Sequence, residues 1–285
     1  MVLGDLQRLV QAVEANWCTA WASLGQVRDQ LPTLVDDTPG YLRVFTPAVP
    51  EMLVNTIIRF NGPLPIDPGD LERIIAPYRR HRLPFQWWMV MGAEPRDLRE
   101  HLRRLDLQSC GPATCMALPL EHWSPPDALG TPLADEVAQR VGTREDGNAA
   151  HAVICDVFYV PAGPMARWTT DNPAFQLYLT RLRGHPVAAL ATLRDGDTVG
   201  VYHVGTRAGF RRHGMAGRLL AMALREAQAG GARLATLTST PEARALYDAL
   251  GFHTCGAIEQ WIPGPDLMAQ LTYGGRVSRF HAAGW

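Results

Sequence analysis

The 285-residue sequence predicts an α/β protein of two domains, and three observations carry that prediction. The stretch VGVYHVGTRAGFRRHGMAG, Val199 to Gly217, reads as a strand, a basic glycine-containing turn and the start of a helix. Strand and helix patterns alternate on both sides of it, as in α/β folds. Hydrophobic residues make up 47% of the chain, enough for well-formed cores, and the length suits two ordinary domains better than one large one.

Each element has a local reason. Leu6, Val10, Val13, Trp17, Trp21 and Leu24 share a helical face, so residues 5–24 read as one or two amphipathic helices with both tryptophans as packing residues. Strands are expected at 41–45 and 51–60, the second ended by Asn61-Gly62-Pro63. Asp67-Pro68-Gly69-Asp70 opens a helix carrying Leu71, Ile74, Ile75 and Tyr78. Residues 85–91 read as a strand, a helix with Leu98, Leu102 and Leu105 on one side follows Pro95, and 116–120 returns as a strand.

The turn-rich segment 121–127 marks the boundary, giving domains of 1–120 and 121–285. Leu133–Val141 reads as a helix and Arg144–Asn148 as a surface turn, while 151–160 shows no clear period. Residues 175–183 and 186–194, joined through Gly184-His185, form an antiparallel hairpin leading to a strand at 198–204. A helix from Met215 stops at Gly230-Gly231, and strand 234–238, short helix 241–250 and strand 257–261 complete the pattern.

The turn at 207–214 has a physical use. The first amides of a helix lack intrahelical acceptors and the helix dipole adds positive charge there, so backbone N–H groups can hold a phosphate. Gly214 lets the chain pass close to a ligand, Ala216 and Gly217 keep the first turn uncrowded, and Arg211, Arg212 and His213 raise the local potential.

Residues of about 120 to 263 resemble a GNAT-superfamily N-acetyltransferase. Arg211-Arg212-His213-Gly214-Met215-Ala216 matches that superfamily's pyrophosphate-loop pattern, Arg/Gln-x-x-Gly-x-Gly/Ala, and Ala243, Tyr247 and Gly251-Phe252 match its later pattern. Thr240 stands where the later pattern usually has Asn. The resemblance implies a mixed, mostly antiparallel sheet flanked by helices and acetyl-CoA as cosubstrate. It places the cofactor at Val204, Gly205, Thr206, Arg211, Arg212, His213, Gly214, Met215, Ala216, Gly217, Thr240 and Tyr247. The N-terminal half resembles the degenerate first domain of tandem GNAT proteins; it has no such loop, so no cofactor is expected there.

Acetyl transfer to an amine requires deprotonating the amine, stabilising an oxyanion and protonating the departing sulfur. The resemblance assigns the second task to backbone at Val204–Thr206 and the third to Tyr247. The position where such enzymes often carry a glutamate is Gly200. Strand alternation sets Gly200, Tyr202 and Val204 on one face and Val201 with His203 on the other. Tyr202 is the better-oriented polar residue, His203 has the better pKa, and Glu259 on a later strand is a further candidate base. Trp168 and Asp171 are expected to hold an apolar and a cationic part of the acceptor.

The expected acceptor is a small-molecule primary amine; a longer acyl group, a hydroxyl or thiol acceptor, and a non-catalytic acyl-CoA sensor stay open. A net charge of −1 argues against nucleic acid and acidic membranes as partners. Five cysteines without a CxxC pair argue against zinc and a disulfide framework, and no metal is expected. No apolar run approaches roughly 18 residues and the N-terminus lacks a signal pattern, so a cytoplasmic protein is expected, with a homodimer open.

Overall fold

A computed structural model describes residues 3–27, 32–61, 66–92, 95, 97–159, 163 and 166–271. The chain forms two compact units. Residues 3–16 and 115–255 make the unit that carries the basic turn, the loop unit; 17–114 together with the chain from 256 make the companion unit. The expected division at residue 120 keeps helix 5–24 and strand 257–261 whole on either side; the clustering divides the first helix and the last strand instead.

In the companion unit, helix α1 (Leu3–Ala22) contributes its last turns, where Trp17 and Trp21 stack at 4.8 Å and are buried, as their spacing predicts. Strands β1 (Leu34–Asp37), β2 (Tyr41–Phe45) and β3 (Thr56–Phe60) form an antiparallel meander. A 3₁₀ turn over Met52–Val54 delays β3 relative to the expected start at 51. Helix α2 (Pro68–His81) carries the chain to β4 (Gln86–Val90), parallel to β3, and α3 (Leu98–Arg104) leads to β5 (Leu107–Pro119). The sheet order is β1-β2-β3-β4-β11-β5, where β11 (His253–Pro263) pairs antiparallel with β4 and α7 (Pro265–Leu271) closes the described chain.

The loop unit repeats this order. Strands β7 (Phe175–Leu182), β8 (His185–Asp195) and β9 (Thr198–Thr206) are an antiparallel meander, α5 (Met215–Ala229) crosses to β10 (Leu234–Ser239) parallel to β9, and α6 (Arg244–Ala249) leads to β11. Two elements precede it: β6 (Glu136–Arg140), paired antiparallel with β7, and α4 (Arg144–Phe158). The order is β6-β7-β8-β9-β10-β5-β11.

Two readings need correction here. Leu133–Val141 is not a helix: Val137 stands 53% exposed on the edge strand β6, and pairing with β7 overrides a spacing that mimics a helix. The expected surface turn 144–148 is the start of α4, because the Thr143 hydroxyl accepts from the Asp146 amide as an N-cap.

Both units carry the same irregularity. Partners on β2 and β3 jump from Tyr41↔Phe60 to Leu42↔Ile58, leaving Arg59 as an extra residue at φ 66°. Between β8 and β9 they jump from Ala189↔Gly205 to Ala191↔Tyr202, so His203 and Val204 oppose Leu190 alone, with His203 at φ 55°. Each is a β-bulge, and bulges re-aim side chains.

Candidate active site

The bulge in β9 overturns the expected alternation. His203 turns its ring to Trp168 at 5.2 Å and to Phe158 of α4 at 5.9 Å, on the side where Gly205 lies under Val157. Its ring centroid is 6.3 Å from that of Tyr202. Val204 instead packs into the core cluster under α5 with Val199 and Val201. Tyr202 and His203, expected on opposite faces, therefore share the α4 face.

The sheet opens beside this bulge. Parallel pairing of β9 with β10 covers Thr198–Gly200 against Leu234–Thr236, while β9 continues to Thr206 and β10 to Ser239. The β10-facing backbone of β9 beyond Gly200 has no registered partner there, so its amides can address a ligand.

At the end of β9 the chain makes a short 3₁₀ turn, Ala208–Phe210, then the exposed loop Arg211–Gly214. Arg211 Nε donates to the Thr206 carbonyl, and His213 Nδ1 to that of Arg211. Gly214 occupies the left-handed region at φ 75°, where a Cβ would fall 2.5 Å from Arg218 Nη1 and 3.0 Å from the Leu129 carbonyl. No side chain caps α5 and its first turn holds no acid, so its terminal amides stay bare beside the cations. Met215 and Gly217 are buried and Ala216 is half-buried.

An ion pair not anticipated from sequence fixes this loop. Arg218 binds both carboxylate oxygens of Glu136, at 2.9 and 2.6 Å, and donates to the carbonyls of Leu129 and His213. Burial pushes the Glu136 carboxyl up, but Arg218 and the Leu133 amide outweigh it and hold it below the usual range.

The other predicted residues separate. Tyr247 on α6 is buried, and its hydroxyl has no hydrogen-bond partner among the described residues; burial pushes its pKa well above the usual phenol value. Thr240 accepts from the Ala243 amide at 3.3 Å, a turn contact where the family's Asn would stand. Burial, reinforced by His151, holds the His203 imidazole down at about 4, and its Nε2 is enclosed without a partner. Trp168 is 0% exposed and offers no face to a ligand, whereas Asp171 lines a cavity. Glu259 belongs to the companion unit, where it accepts from Ser109 at 2.7 Å and pairs with Arg99 at 3.1 Å.

The glutamate position has an unexpected tenant. A Cβ on Gly200 would lie 1.7 Å from Asn16 Oδ1. Asn16, 1% exposed, reaches over from α1; the Tyr202 hydroxyl donates to its Oδ1 at 2.6 Å, and its Nδ2 donates to the Leu193 carbonyl at 3.4 Å. A polar residue on the apolar stripe between Val13 and Trp17 is the sequence signal for it.

A sheet that parts at a bulge, beside a helix whose N-terminus is bare and basic, offers a phosphate-ready loop. Residues 145–261 match the family model described as an acetyltransferase (GNAT) domain. Among solved structures the chain is similar to a GCN5-related N-acetyltransferase from Kribbella flavida, at 20% identity and TM-score 0.64 over 86% of this chain and 94% of that one. A GCN5-related N-acetyltransferase from Sphaerobacter thermophilus aligns at 16% identity and TM-score 0.57, covering 81% and 82%. A tandem GNAT protein from the clavulanic acid biosynthesis pathway aligns at 11% identity and TM-score 0.56, covering 89% and 95%. No curated protein matches the sequence. The mixed, mostly antiparallel fold and the tandem resemblance expected from sequence are confirmed. Among the described residues no group of three or more His, Cys, Asp or Glu is placed to hold a metal, and no helix is long and apolar enough to cross a membrane.

Proposed function

We propose that the protein transfers an acetyl group from acetyl-CoA to a primary amine of a small-molecule acceptor by direct attack. The observation that carries this reading is the uncapped, acid-free N-terminus of α5 beside the β9 bulge. The pyrophosphate would rest on the amides of Gly214–Gly217 with Arg211, Arg212 and His213 around it. In the transfer the amine nitrogen bonds to the thioester carbonyl carbon and the oxygen takes up negative charge near the β9 amides at Val204–Thr206. The C–S bond then breaks, and the thiolate takes a proton from Tyr247. Neutral His203, on the face opposite α5, is the group to receive the amine proton, directly or through water, with the Tyr202 hydroxyl beside it as a hydrogen-bonding group.

The repeat of element order and bulge supports reading residues 1–120 as a degenerate copy without a cofactor. Five free cysteines and near-neutral charge fit a reducing cytoplasm. One observation favours the sensor instead: the glutamate position is Gly200, filled by the Asn16 amide, which is no base.

Calorimetry with acetyl-CoA, run beside thiol release over a panel of amines, separates the two. Wild type binds and releases thiol only with an amine, Gly214→Val loses binding, and Tyr247→Phe keeps binding while turnover falls on the order of 10²-fold. Absence of acetyl-CoA binding would overturn the reading, and binding without release for any amine would favour the sensor.

A further inference from the structure

The loop that faces the proposed pyrophosphate needs support from outside itself. Two of its four residues lie in the left-handed region, Arg212 at φ 67° and Gly214 at φ 75°, and a non-glycine residue stays there only where its surroundings hold it. The hold comes from behind. Arg218, one turn into α5, spreads its guanidinium over four acceptors: Nε and Nη2 on the two Glu136 oxygens at 2.9 and 2.6 Å, Nη1 on the Leu129 carbonyl at 3.0 Å and Nη2 on the His213 carbonyl at 2.7 Å. Glu136, 2% exposed, is steadied in turn by the Leu133 amide at 3.0 Å. Leu129 closes the same space: a Cβ on Gly217 would stand 2.9 Å from its Cδ2, and one on Gly214 3.0 Å from its carbonyl. Leu129, Leu133 and Glu136 precede residues 145–261, so the family match does not account for this support.

A peptide unit is planar, with its C=O and N–H pointing opposite ways. Holding the His213 carbonyl back against Arg218 therefore turns the Gly214 amide away from Arg218, where it has no acceptor among the described residues. We infer that Arg218 and Glu136 are a positioning pair: they aim the Gly214 amide and fix the course of the loop, and so set the affinity for the pyrophosphate half of the donor by acting through the backbone. The inference rests on the acetyl-CoA reading. Charge alone does not account for the pair, because Glu136 neutralises Arg218. Stability does not account for it either, because a buried ion pair contributes little over apolar side chains of similar volume. Lysine could not replace the arginine, since an ammonium is a point charge on a flexible stem and does not fork across several acceptors.

The test is calorimetry on the full chain with acetyl-CoA and with S-acetylpantetheine, which carries the thioester but no phosphate. The double variant Glu136→Leu with Arg218→Met removes the pair without stranding either charge, and Arg218→Lys keeps the charge while losing the fork; thermal melts establish that each is folded. Each variant binds acetyl-CoA about tenfold or more weaker than wild type, and S-acetylpantetheine within about twofold of it. A pair that served only to stabilise the unit would leave both donors as in wild type or weaken both alike, and either result overturns the inference. Should the double variant not fold, Arg218→Lys decides alone. Wild type that does not bind acetyl-CoA sinks the donor reading and the inference with it, whereas wild type and variants that bind it equally well sink the inference only.

Discussion

Gly200→Ala is a single methyl group aimed at the contact between β9 and Asn16. Its Cβ would stand 1.7 Å from Asn16 Oδ1 and 2.7 Å from both Asn16 Cγ and Tyr202 Cε2, inside the separations real carbons tolerate. Asn16 must move, and its bonds to the Tyr202 hydroxyl and the Leu193 carbonyl go with it. Overpacking costs about 1–3 kcal/mol and the two displaced Asn16 side-chain hydrogen bonds about 0.5–1.5 each, while the Asn16 carbonyl, 3.1 Å from the Tyr202 hydroxyl, remains as an acceptor, so the variant loses about 2–6 kcal/mol. For a chain of this size that lowers Tm on the order of 5–15 °C. Asn16→Ala alone removes the side-chain acceptor, leaving the Tyr202 hydroxyl only the Asn16 carbonyl at 3.1 Å, and costs about 1–3 kcal/mol, but it also empties the space the methyl needs. The double variant should therefore be more stable than the sum of the singles predicts, by about 1–3 kcal/mol. Thermal melts and urea midpoints of the four proteins measure this cycle. A Gly200→Ala protein that melts with wild type, or strictly additive losses, would refute the claim that Gly200 is glycine to admit Asn16.

Two further predictions concern pH. Glu136, 2% exposed beside Arg218 at 11%, has its carboxyl held below the usual range, so its contribution is complete above the unfolded value of about 4.3 and lost as pH falls through the lower folded value. Glu136→Gln should cost about 3 kcal/mol at pH 7 and far less near pH 3; urea midpoints at both pH values decide, and equal losses would remove the pair from the ledger. His203, held down at about 4 against about 6.5 when unfolded, binds its proton more readily in the unfolded chain, so its contribution is whole above about pH 6.5 and declines as pH drops toward 4. His203→Gln should flatten the Tm profile between pH 4.5 and 7.5, and an unchanged slope would show that the ring is not the neutral, enclosed group described.

What the sequence revealed, and what it concealed, divides along a physical line. The loop at 207–217, the 175–194 hairpin and α5 were legible because local chemistry decides them: glycine where φ must be positive, arginines beside bare amides, apolar spacing at helical period. Leu133, Val137 and Val141 fall at i, i+4 and i+8 and so imitate a helix; the antiparallel partner that makes β6 a strand comes from residues about forty positions away. The bulge that brings His203 round to Tyr202 leaves no mark in the local pattern, and strict alternation misassigned both His203 and Val204. Asn16 and Gly200 are 184 positions apart and become one feature only when α1 lies over β9; the related bond from Tyr202 to Asn16 spans 186.

The two units place fold and chemistry in direct comparison. Each has the meander, the bulge, the parallel crossover through a helix and the short helix before a long strand, so topology alone would nominate both for a phosphate. Their crossover helices begin differently. At α2 the Asp67 carboxylate already accepts the Gly69 amide, Pro68 removes a donor at the first helical position, and Asp70 adds negative charge where an anion would have to sit. At α5 a left-handed glycine replaces the capping side chain, the first turn has no acid, and Arg218 holds the loop from behind through the His213 carbonyl. The helix dipole is common to both, worth about 0.3–1 kcal/mol to a charge at the terminus, so the difference lies in which terminus still has donors to offer. Grafting the α2 arrangement onto α5 by Gly214→Asp with Met215→Pro should therefore abolish acetyl-CoA binding. If calorimetry found binding intact in that variant, the cofactor would not depend on the bare amides of α5, and the assignment of the loop unit as the cofactor-binding unit would fall with them.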